Sequence, residues 1–220
     1  IVGVVPGPAG AWRKQAVLDA GGFPEDTLVE DQDMTLTLLR LGWRIPYEPH
    51  AIAYTETPAT IRGFLAQRFR WVYGTIQCFW KHVGAVFERP LSPMATVLMP
   101  NIFIFGILLP LIYPIVDSVL MASIFFGWWH EAVLPILAFT VLDMLYAAWA
   151  LRGERRLYKL IFVVPLLRVV YRQLLYYTGV RGLGRAIEGT GVAWNKVARL
   201  GDTRRFFDGQ LTITTQYPRL

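Results

Sequence analysis

The pattern of apolar and polar residues changes twice along the chain, near residue 61 and near residue 94. Before residue 61, short apolar runs alternate with charged turns, a pattern typical of mixed strands and helices. The predicted elements of this region are a strand over 1–5, helices over 13–20 and 31–41, and short strands over 43–47 and 51–55. Gly21-Gly22 and Gly42 follow the two helices and are expected to end them. The region is therefore expected to be α/β.

The second region, residues 61–93, is aromatic and basic but contains no long apolar stretch. Thr60 is a candidate N-cap for a helix over 61–80. This composition favours a helix that lies at the membrane interface, and a buried helix of the preceding domain is the alternative.

The third region, residues 94–180, is dominated by apolar residues. Its first stretch, 94–129, exceeds one span of about 20 residues but falls short of two, and it contains three prolines. An interface helix followed by one kinked span fits this length. Residues 132–151 predict a second span, and 157–178 form a third apolar segment that Arg168 and Arg172 interrupt. A basic tail, 181–220, follows and is expected to be cytoplasmic or interfacial.

Composition supports a membrane protein. Hydrophobic residues make up 54% of the chain and charged residues 17%, and the mean hydropathy is +0.38. The net charge of +6 comes largely from lysines and arginines that flank the apolar runs, which favours contact with lipid headgroups. The sequence contains no basic stripe along a polar helix, which is the pattern that would predict binding to nucleic acid. The single cysteine, Cys78, excludes an intrachain disulfide and a Cys/His metal cluster.

The distribution of basic residues leaves the topology open. Basic residues before residue 90 and at 152–159 are both expected on the cytoplasmic side, which requires two crossings between them. A third crossing would place the basic tail outside, against the same rule. The number of spans and the side of the C terminus therefore stay undecided. The first residue is Ile1, within a predicted strand, so the chain is expected to begin inside a domain.

The first candidate for chemistry is the pair Glu30-Asp31, where an acidic loop meets a predicted helix. A helix N-terminus stabilises an ionised carboxylate, which can take a proton from an attacking hydroxyl group. A simple N-cap is the alternative. Asp31-Gln32-Asp33 also matches a D-x-D metal pattern, but any acidic helix start can produce it. We interpret this match as a coincidence and predict no metal ligand here.

The second candidate is the run Gln67-Arg68-Phe69-Arg70-Trp71. On a helix Gln67, Arg70 and Trp71 share one face. A guanidinium group can bind phosphate oxygens in a planar, two-pronged fashion, and an indole ring offers an apolar surface for a sugar ring. These groups suit a diphosphate next to a sugar. A basic interfacial helix with a tryptophan at the headgroup level is the alternative.

Taken together, the Glu30-Asp31 pair, the Gln67 to Trp71 run and the apolar spans after them resemble the processive family 2 glycosyltransferases. These are the synthases of cellulose, chitin, hyaluronan and poly-N-acetylglucosamine. The resemblance covers essentially the whole chain. It implies four parts: the C-terminal part of a GT-A catalytic domain (1–60), interface helices with the Q-R-F-R-W motif (61–93), transmembrane helices (94–180) and the tail (181–220).

The resemblance also implies roles for individual residues. Asp31 would be the general base, with Glu30 beside it, and Trp71 would stack on the terminal sugar of the polymer. Gln67, Arg68 and Arg70 would hold the nucleotide diphosphate. The loop with Gly7, Gly10 and Ala11 would line the acceptor site, because small residues let a sugar approach the backbone. An ordinary strand-to-helix turn is the alternative for this loop.

By the same resemblance the activity would be inverting transfer from a UDP-sugar, N-acetylglucosamine first and glucose next, to a β-linked polysaccharide that passes across the bilayer. A divalent cation, Mg or Mn, would be bound mainly by residues upstream of this chain, so the chain alone is expected to be inactive. The expected location is the plasma membrane, with several spans and a cytoplasmic catalytic part. The family's F-x-V-T-x-K gating segment is absent from this sequence, and residues 194–199 are a candidate to close the site instead, or a basic interfacial segment.

Four charged residues lie inside the apolar region: Asp117, Asp143, Arg168 and Arg172. Charges are costly in lipid, so we expect them to pair with each other, and a polymer channel lined by them is the alternative. Two rival functions also remain. One is a non-processive family 2 transferase that adds one sugar to a lipid, and the other is a membrane transporter or scaffold.

Overall fold

The structure is a computed structural model that describes residues 2–48, 51, 53, 55–152 and 155–189. Its regular elements are helical. They are α1 (Lys14–Asp19), α2 (Glu30–Arg40), α3 (Ile61–His82), α4 (Ala85–Glu88), α5 (Met99–Asn101), α6 (Leu109–Phe125), α7 (Trp129–Ala150), α8 (Val164–Val169) and α9 (Tyr171–Glu188). Two π-helical segments, Met94–Leu98 and Ile102–Leu108, flank α5, and a 3₁₀ helix, Arg155–Val163, precedes α8.

The described residues contain no β-strand, so the α/β class is not confirmed and the strands expected over 2–5 and 43–47 are absent. Ile1 and part of 51–55 lie outside the described residues. A strand requires the backbone of a neighbouring strand to complete its hydrogen bonds. Here the amide of Val5 donates instead to the side-chain hydroxyl of Thr35, at 2.9 Å. Val5 is therefore bonded to α2, and Gly3 lies next to Leu98 of the first π-helical segment.

The helices expected in the first region are confirmed. α1 and α2 pack through Ala16, Met34 and Leu38, with two tryptophans at the edge of this cluster. Gly21 and Gly42 follow the helices with φ angles of 81° and 89°. Only glycine adopts this left-handed conformation without steric cost, which explains why both helices end there.

The helix expected at 61–80 is also confirmed and extends to His82. Thr60 caps it, because its hydroxyl accepts a hydrogen bond from the Gly63 amide at 3.1 Å. α3 packs on α2 on one side and has its most extensive helix contact with α9 on another. A second buried cluster joins α2 and α3 to the start of the apolar region. It contains Val29, Leu36, Cys78, Ala85, Met94, Leu98, Met99 and Ile102.

The apolar region begins with one continuous helical segment, Met94–Phe125, of 32 residues. This corrects the expectation of a separate interface helix followed by a span. The two π-helical segments adjoin Pro100 and Pro110, where a missing amide donor interrupts the regular hydrogen-bond ladder. Met94–Phe125 and α7 are both long and apolar enough to cross a membrane.

The third apolar segment differs from a straight span. Leu157–Arg168 and Tyr171–Glu188 form a pair of helical pieces bent by 55°. α9 continues ten residues beyond the predicted end at 178, across the boundary expected between the membrane region and the tail. This part of α9 packs on other helices: Gly182 faces Val72 of α3, Gly179 faces Pro110 of α6, and Thr178 is buried. The segment 194–199, a candidate to close the site, and the rest of the tail beyond residue 189 lie outside the described residues.

Candidate active site

A close contact between α2 and α3 joins the two segments that carry the candidate motifs. Gly74 lies one turn after Trp71 and has no side chain, which allows the backbone of α3 to approach Val29. A Cβ atom at Gly74 would lie 2.7 Å from both γ-carbons of Val29, closer than such atoms come in proteins. The contact therefore requires glycine at this position.

Hydrogen bonds then fix the register of the two helices. The Thr75 hydroxyl donates to the side-chain oxygen of Gln32 at 3.0 Å, and the Leu28 amide donates to Gln77 Oε1 at 3.0 Å. Both bonds join side chains of α3 to residues within four positions of Asp31. Each bond joins residues that are 43 or 49 positions apart in the chain. Together the two bonds align the start of α2 with the middle of α3.

Asp33 makes the strongest polar contact between these helices. Its carboxylate is fully buried and contacts His82 Nε2 at 2.7 Å, Lys81 Nζ at 2.8 Å and Thr27 Oγ1 at 2.9 Å. Burial alone would raise the pKa of Asp33, but the hydrogen bonds from His82, Lys81 and Thr27 outweigh it and lower the pKa below its usual value. All of these contacts are structural. Asp33 joins α2 to α3, and its oxygens are occupied by protein groups.

The other groups of this network belong to the same interface. Burial alone would lower the pKa of Lys81, but its hydrogen bonds to Asp26 and Asp33 raise it. Burial also raises the pKa of the Cys78 thiol to about 12, so the thiol is protonated at neutral pH. Within the described residues no group of three or more His, Cys, Asp or Glu side chains is placed to hold a metal ion.

Asp31 has a different environment from Asp33. It is half-buried at the start of α2, and its Oδ2 accepts a hydrogen bond from the Gly7 amide at 3.1 Å. Its Oδ1 accepts from the Gln32 amide at 2.8 Å. These two amides orient the carboxylate but leave it partly accessible to solvent. Glu30 beside it is exposed. Asp31 is thus held in place by two amides and remains partly accessible, whereas Asp33 is fully enclosed.

The loop predicted to line the acceptor site does contact Asp31, through Gly7. Gly7 and Ala11 are exposed. Gly10 differs, because a Cβ atom there would lie 2.8 Å from Val5 Cγ1 and 3.2 Å from Trp12 Nε1. The missing side chain at Gly10 serves packing within the loop, whereas Gly7 brings a backbone donor to the Asp31 carboxylate.

Trp71 lies on the α2 side of α3, four residues before Thr75 and thus about 6 Å along the helix. Thr75 bonds to Gln32, the neighbour of Asp31, so the helix face that carries Trp71 meets the start of α2 one turn farther along. Trp71 is 43% exposed. Gln67 and Arg70 are half-buried on the preceding turn.

Arg68 occupies an aromatic enclosure. Its guanidinium carbon lies 4.5 Å from the ring centroid of Trp71, 5.2 Å from that of Phe64 and 6.0 Å from that of Tyr171. Its Nε is buried without a hydrogen-bond partner among the described residues. The positive charge of Arg68 therefore lies against Trp71, at the inner side of the candidate sugar-binding surface.

The charged residues of the apolar region pair with each other, as we expected. Arg168 lies 3.1 Å from Asp143, and Arg172 lies 3.8 Å from Asp117 and 4.0 Å from Asp143. The Tyr176 hydroxyl also donates to Asp117. These contacts tie α8 and α9 to α6 and α7 by partly neutralised charges.

Sequence reasoning missed several residues that build this site: Gln32, Asp33 as a structural residue, Gly74, Thr75 and Tyr171. A signal for two of them was present, because Gly74 and Thr75 follow Trp71 by three and four positions and therefore share its helix face. Tyr171 gave no such signal, since its partners are more than 100 residues away.

Comparison with known proteins bears on the family of the chain. The model of the glycosyl transferase family group 2 matches residues 4–170, about three quarters of the chain. No solved structure matches the chain.

Curated relatives carry mannosyltransferase names. Glucomannan 4-beta-mannosyltransferase 2 from Arabidopsis thaliana is 38% identical over 77 residues, which are 35% of this chain and 14% of the relative. Probable glucomannan 4-beta-mannosyltransferase 11 from Oryza sativa subsp. japonica is 34% identical over 83 residues, 38% of this chain and 15% of the relative. Probable glucomannan 4-beta-mannosyltransferase 7 from the same species is 27% identical over 150 residues, 59% of this chain and 24% of the relative. The chain thus spans at most about a quarter of these relatives.

Proposed function

The chain belongs to the glycosyl transferase family group 2, and on that basis we propose that the complete protein is a membrane-bound, inverting, processive polysaccharide synthase with a GT-A catalytic domain. It adds hexose units from a nucleotide-activated donor to the end of a β-linked chain. The observation that supports this proposal most strongly is the α2–α3 contact, in which Thr75, one turn after Trp71, bonds to Gln32, the neighbour of Asp31.

The proposed reaction is a single displacement. The acceptor hydroxyl oxygen attacks the anomeric carbon of the donor, and the bond from that carbon to the diphosphate oxygen breaks. The hydroxyl proton passes to the Asp31 carboxylate, which the Gly7 and Gln32 amides keep oriented. The nucleoside diphosphate leaves with the bonding electron pair, and the configuration at the anomeric carbon inverts.

The other motif residues bind the two substrates. Trp71 presents its exposed ring to the terminal sugar of the acceptor. Gln67, Arg68 and Arg70 lie on the adjacent turn and contribute amide and guanidinium donors to the diphosphate. Glu30, exposed next to Asp31, adds negative charge beside the base.

The described residues do not fit the divalent cation, Mg or Mn, that the sequence resemblance implies. The Asp31-Gln32-Asp33 pattern does not converge on a cation, because the Asp33 oxygens are bonded to His82, Lys81 and Thr27. No group of three potential ligands exists among the described residues. We therefore derive no step through a metal ion.

The names of the relatives bear on the donor. They describe mannosyl transfer in glucomannan synthesis, so a mannose donor takes precedence over the N-acetylglucosamine and glucose suggested by sequence resemblance. We further propose that the catalytic part is cytoplasmic, at the plasma membrane, and that the polymer passes across the bilayer. Two crossings between α3 and Arg152 would keep both on one side.

The proposal is tested with the complete protein in membranes, supplied with UDP- and GDP-linked mannose, glucose and N-acetylglucosamine. We expect polymer from one donor and a loss of about 10²–10⁴-fold in rate for Asp31→Asn, the size typical for removal of a general base. Glu25→Gln, an exposed carboxylate of the same loop, is the matched control and should retain the wild-type rate.

The products separate the alternatives. A single sugar on a lipid would replace the polymerase proposal with the non-processive reaction. Absence of sugar transfer and nucleotide binding with every donor would favour a transporter or scaffold. Robust synthesis by Asp31→Asn would refute the assignment of the base.

A further inference from the structure

Tyr171 is the first residue of α9, a helix that belongs to the apolar region in sequence but packs along the motif helix α3. Its ring centroid lies 5.4 Å from that of Phe64, and its ring faces the Arg68 guanidinium at 6.0 Å. The contact continues farther along both helices, where a Cβ atom at Gly182 would lie 2.9 Å from Val72 Cγ1. α9 therefore packs along one side of the motif helix, α3.

The enclosure of Arg68 explains what Tyr171 contributes. Arg68 Nε is buried without a hydrogen-bond partner among the residues described, and three aromatic rings lie within 6.0 Å of the guanidinium carbon. A cation over ring faces is attracted to them, most strongly to tryptophan. Trp71 is the nearest ring, and Phe64 and Tyr171 lie at 5.2 and 6.0 Å from the guanidinium carbon. Arg68 thus lies against the Trp71 ring and also contacts the Tyr171 ring.

The position of Tyr171 is itself fixed by charges on other helices. Arg172, the next residue, lies between Asp117 of α6 and Asp143 of α7, at 3.8 and 4.0 Å. One turn later, the Tyr176 hydroxyl donates to Asp117. The first turn of α9 is therefore attached to the two long apolar helices while its Tyr171 ring contacts the motif helix.

From these contacts we infer that Tyr171 is a positioning residue of the acceptor site: it holds Arg68 against Trp71 and so sets the sugar-binding surface for the terminal hexose of the growing chain. This inference rests on the proposed function, because it assumes that Trp71 binds the acceptor. It adds that a helix of the apolar region, which the sequence motifs do not include, completes this binding surface.

The first measurement uses no substrate. An arginine-directed dicarbonyl reagent is applied to the purified complete protein, and modification of Arg68 is followed by peptide mass spectrometry. We expect Tyr171→Leu to speed modification of Arg68 about fivefold, as expected for loss of one ring contact, and Tyr171→Phe to match wild type. Tyr177→Leu is the matched control, because Tyr177 lies on the same helix but is 54% exposed.

The second measurement is steady-state kinetics with a soluble oligosaccharide acceptor. For Tyr171→Leu we expect KM for the acceptor to rise about fivefold while kcat changes less than twofold, with rescue by Tyr171→Phe. If Tyr171→Leu does not accumulate in membranes, Phe64→Leu removes another ring of the same enclosure and is measured in its place.

Three outcomes would overturn the inference: unchanged Arg68 modification, an unchanged acceptor KM, or equal effects from Tyr177→Leu. Failure of the proposed function is seen separately, as absent transfer by the wild-type protein. In that event the Arg68 modification still decides whether Tyr171 encloses the guanidinium, and the acceptor role is refuted.

Discussion

At the scale of single residues, Asp31 and Asp33 show how environment divides the roles of two identical side chains. Both lie in the first turn of α2. Asp33 is fully buried and satisfied by three side chains, so it holds the helices together. Asp31 is half-buried and bonded to two backbone amides, so it retains accessible lone pairs. Of these two aspartates, Asp31 is the one that retains the accessible oxygens that the proposed general base needs.

The lowered pKa of Asp33 predicts a pH-dependent contribution to stability. A group whose pKa is lower in the folded state stabilises the fold at pH values above its unfolded pKa, near 3.9, and this contribution is lost as the pH falls through the folded pKa. We expect Asp33→Asn to lower the free energy of unfolding by about 3 kcal/mol at pH 7, because Lys81 and His82 lose a buried partner. The difference from wild type should shrink below about pH 4.

Thermal unfolding of the purified complete protein between pH 3 and pH 7 measures this effect. Asp19→Asn serves as the control, since Asp19 is exposed and bonded only to Gln15 one turn away. A wild-type advantage over Asp33→Asn that stayed constant down to pH 3 would contradict the assignment of the stabilising charge to Asp33.

At the scale of elements, α3 is the central helix because it meets neighbours on two faces. It approaches α2 at Gly74 and α9 near Val72, opposite Gly182. Small residues at these crossings let the helix backbones come close, and hydrogen bonds from Thr75 and Gln77 can then reach α2. The motif residues lie on the turns just before these contacts, so the packing of α3 sets their positions.

This packing predicts opposite effects for two glycine substitutions. Gly74→Ala would place a Cβ atom 2.7 Å from Val29 and should lower the free energy of unfolding by about 1–3 kcal/mol, the usual cost of overpacking. Gly184→Ala on α9 meets no atom within 4 Å and should stabilise by up to about 1 kcal/mol, because alanine favours helix more than glycine.

Thermal unfolding and transfer rate would be measured for both variants. The shift of α3 relative to α2 should also reduce transfer by Gly74→Ala, whereas Gly184→Ala should transfer sugar at the wild-type rate. Equal stability of the two variants would show that the α2–α3 contact is looser than the structure indicates.

At the scale of the whole molecule, two candidate membrane crossings, Met94–Phe125 and α7, lie between the motif helix α3 and the segment that follows α7. An even number of crossings returns the chain to the side from which it started. Arg62 at the start of α3 and Arg152 after α7 are then on one side, and Glu131 at the turn between the two long helices is on the other. α9 next comes back to α3, which the bent third segment permits.

Cysteine labelling measures this topology. In a protein with Cys78→Ser and no other reactive cysteine, Arg62→Cys and Arg152→Cys should react with an impermeant maleimide from the same side of sealed vesicles. Glu131→Cys should react from the opposite side. Reaction of all three from one side would show that the two long helices do not both cross.

The sequence alone predicted the helices well because their signals are local. Gly21, Gly42 and Thr60 mark helix ends through their own backbone or side-chain chemistry, and the apolar runs follow directly from residue type. The strands were not found in the described residues, because a strand depends on a neighbouring backbone. At Val5 the amide bonds to the side chain of Thr35 instead.

The candidate site was predictable in part for the same reason. The spacing within Gln67 to Trp71 and the acidic start of α2 are properties of short segments, so the sequence by itself determined the candidate residues and the helices that hold them. It also determined the family, glycosyl transferase family group 2, and the apolar segments long enough to cross a membrane. Only the tertiary structure decided that Asp33 joins helices while Asp31 stays accessible, that Gly74 permits the close contact, and that Tyr171 reaches Arg68. Burial, hydrogen bonding and ring contacts depend on distances between residues far apart in the chain, and those distances exist only once the helices have packed.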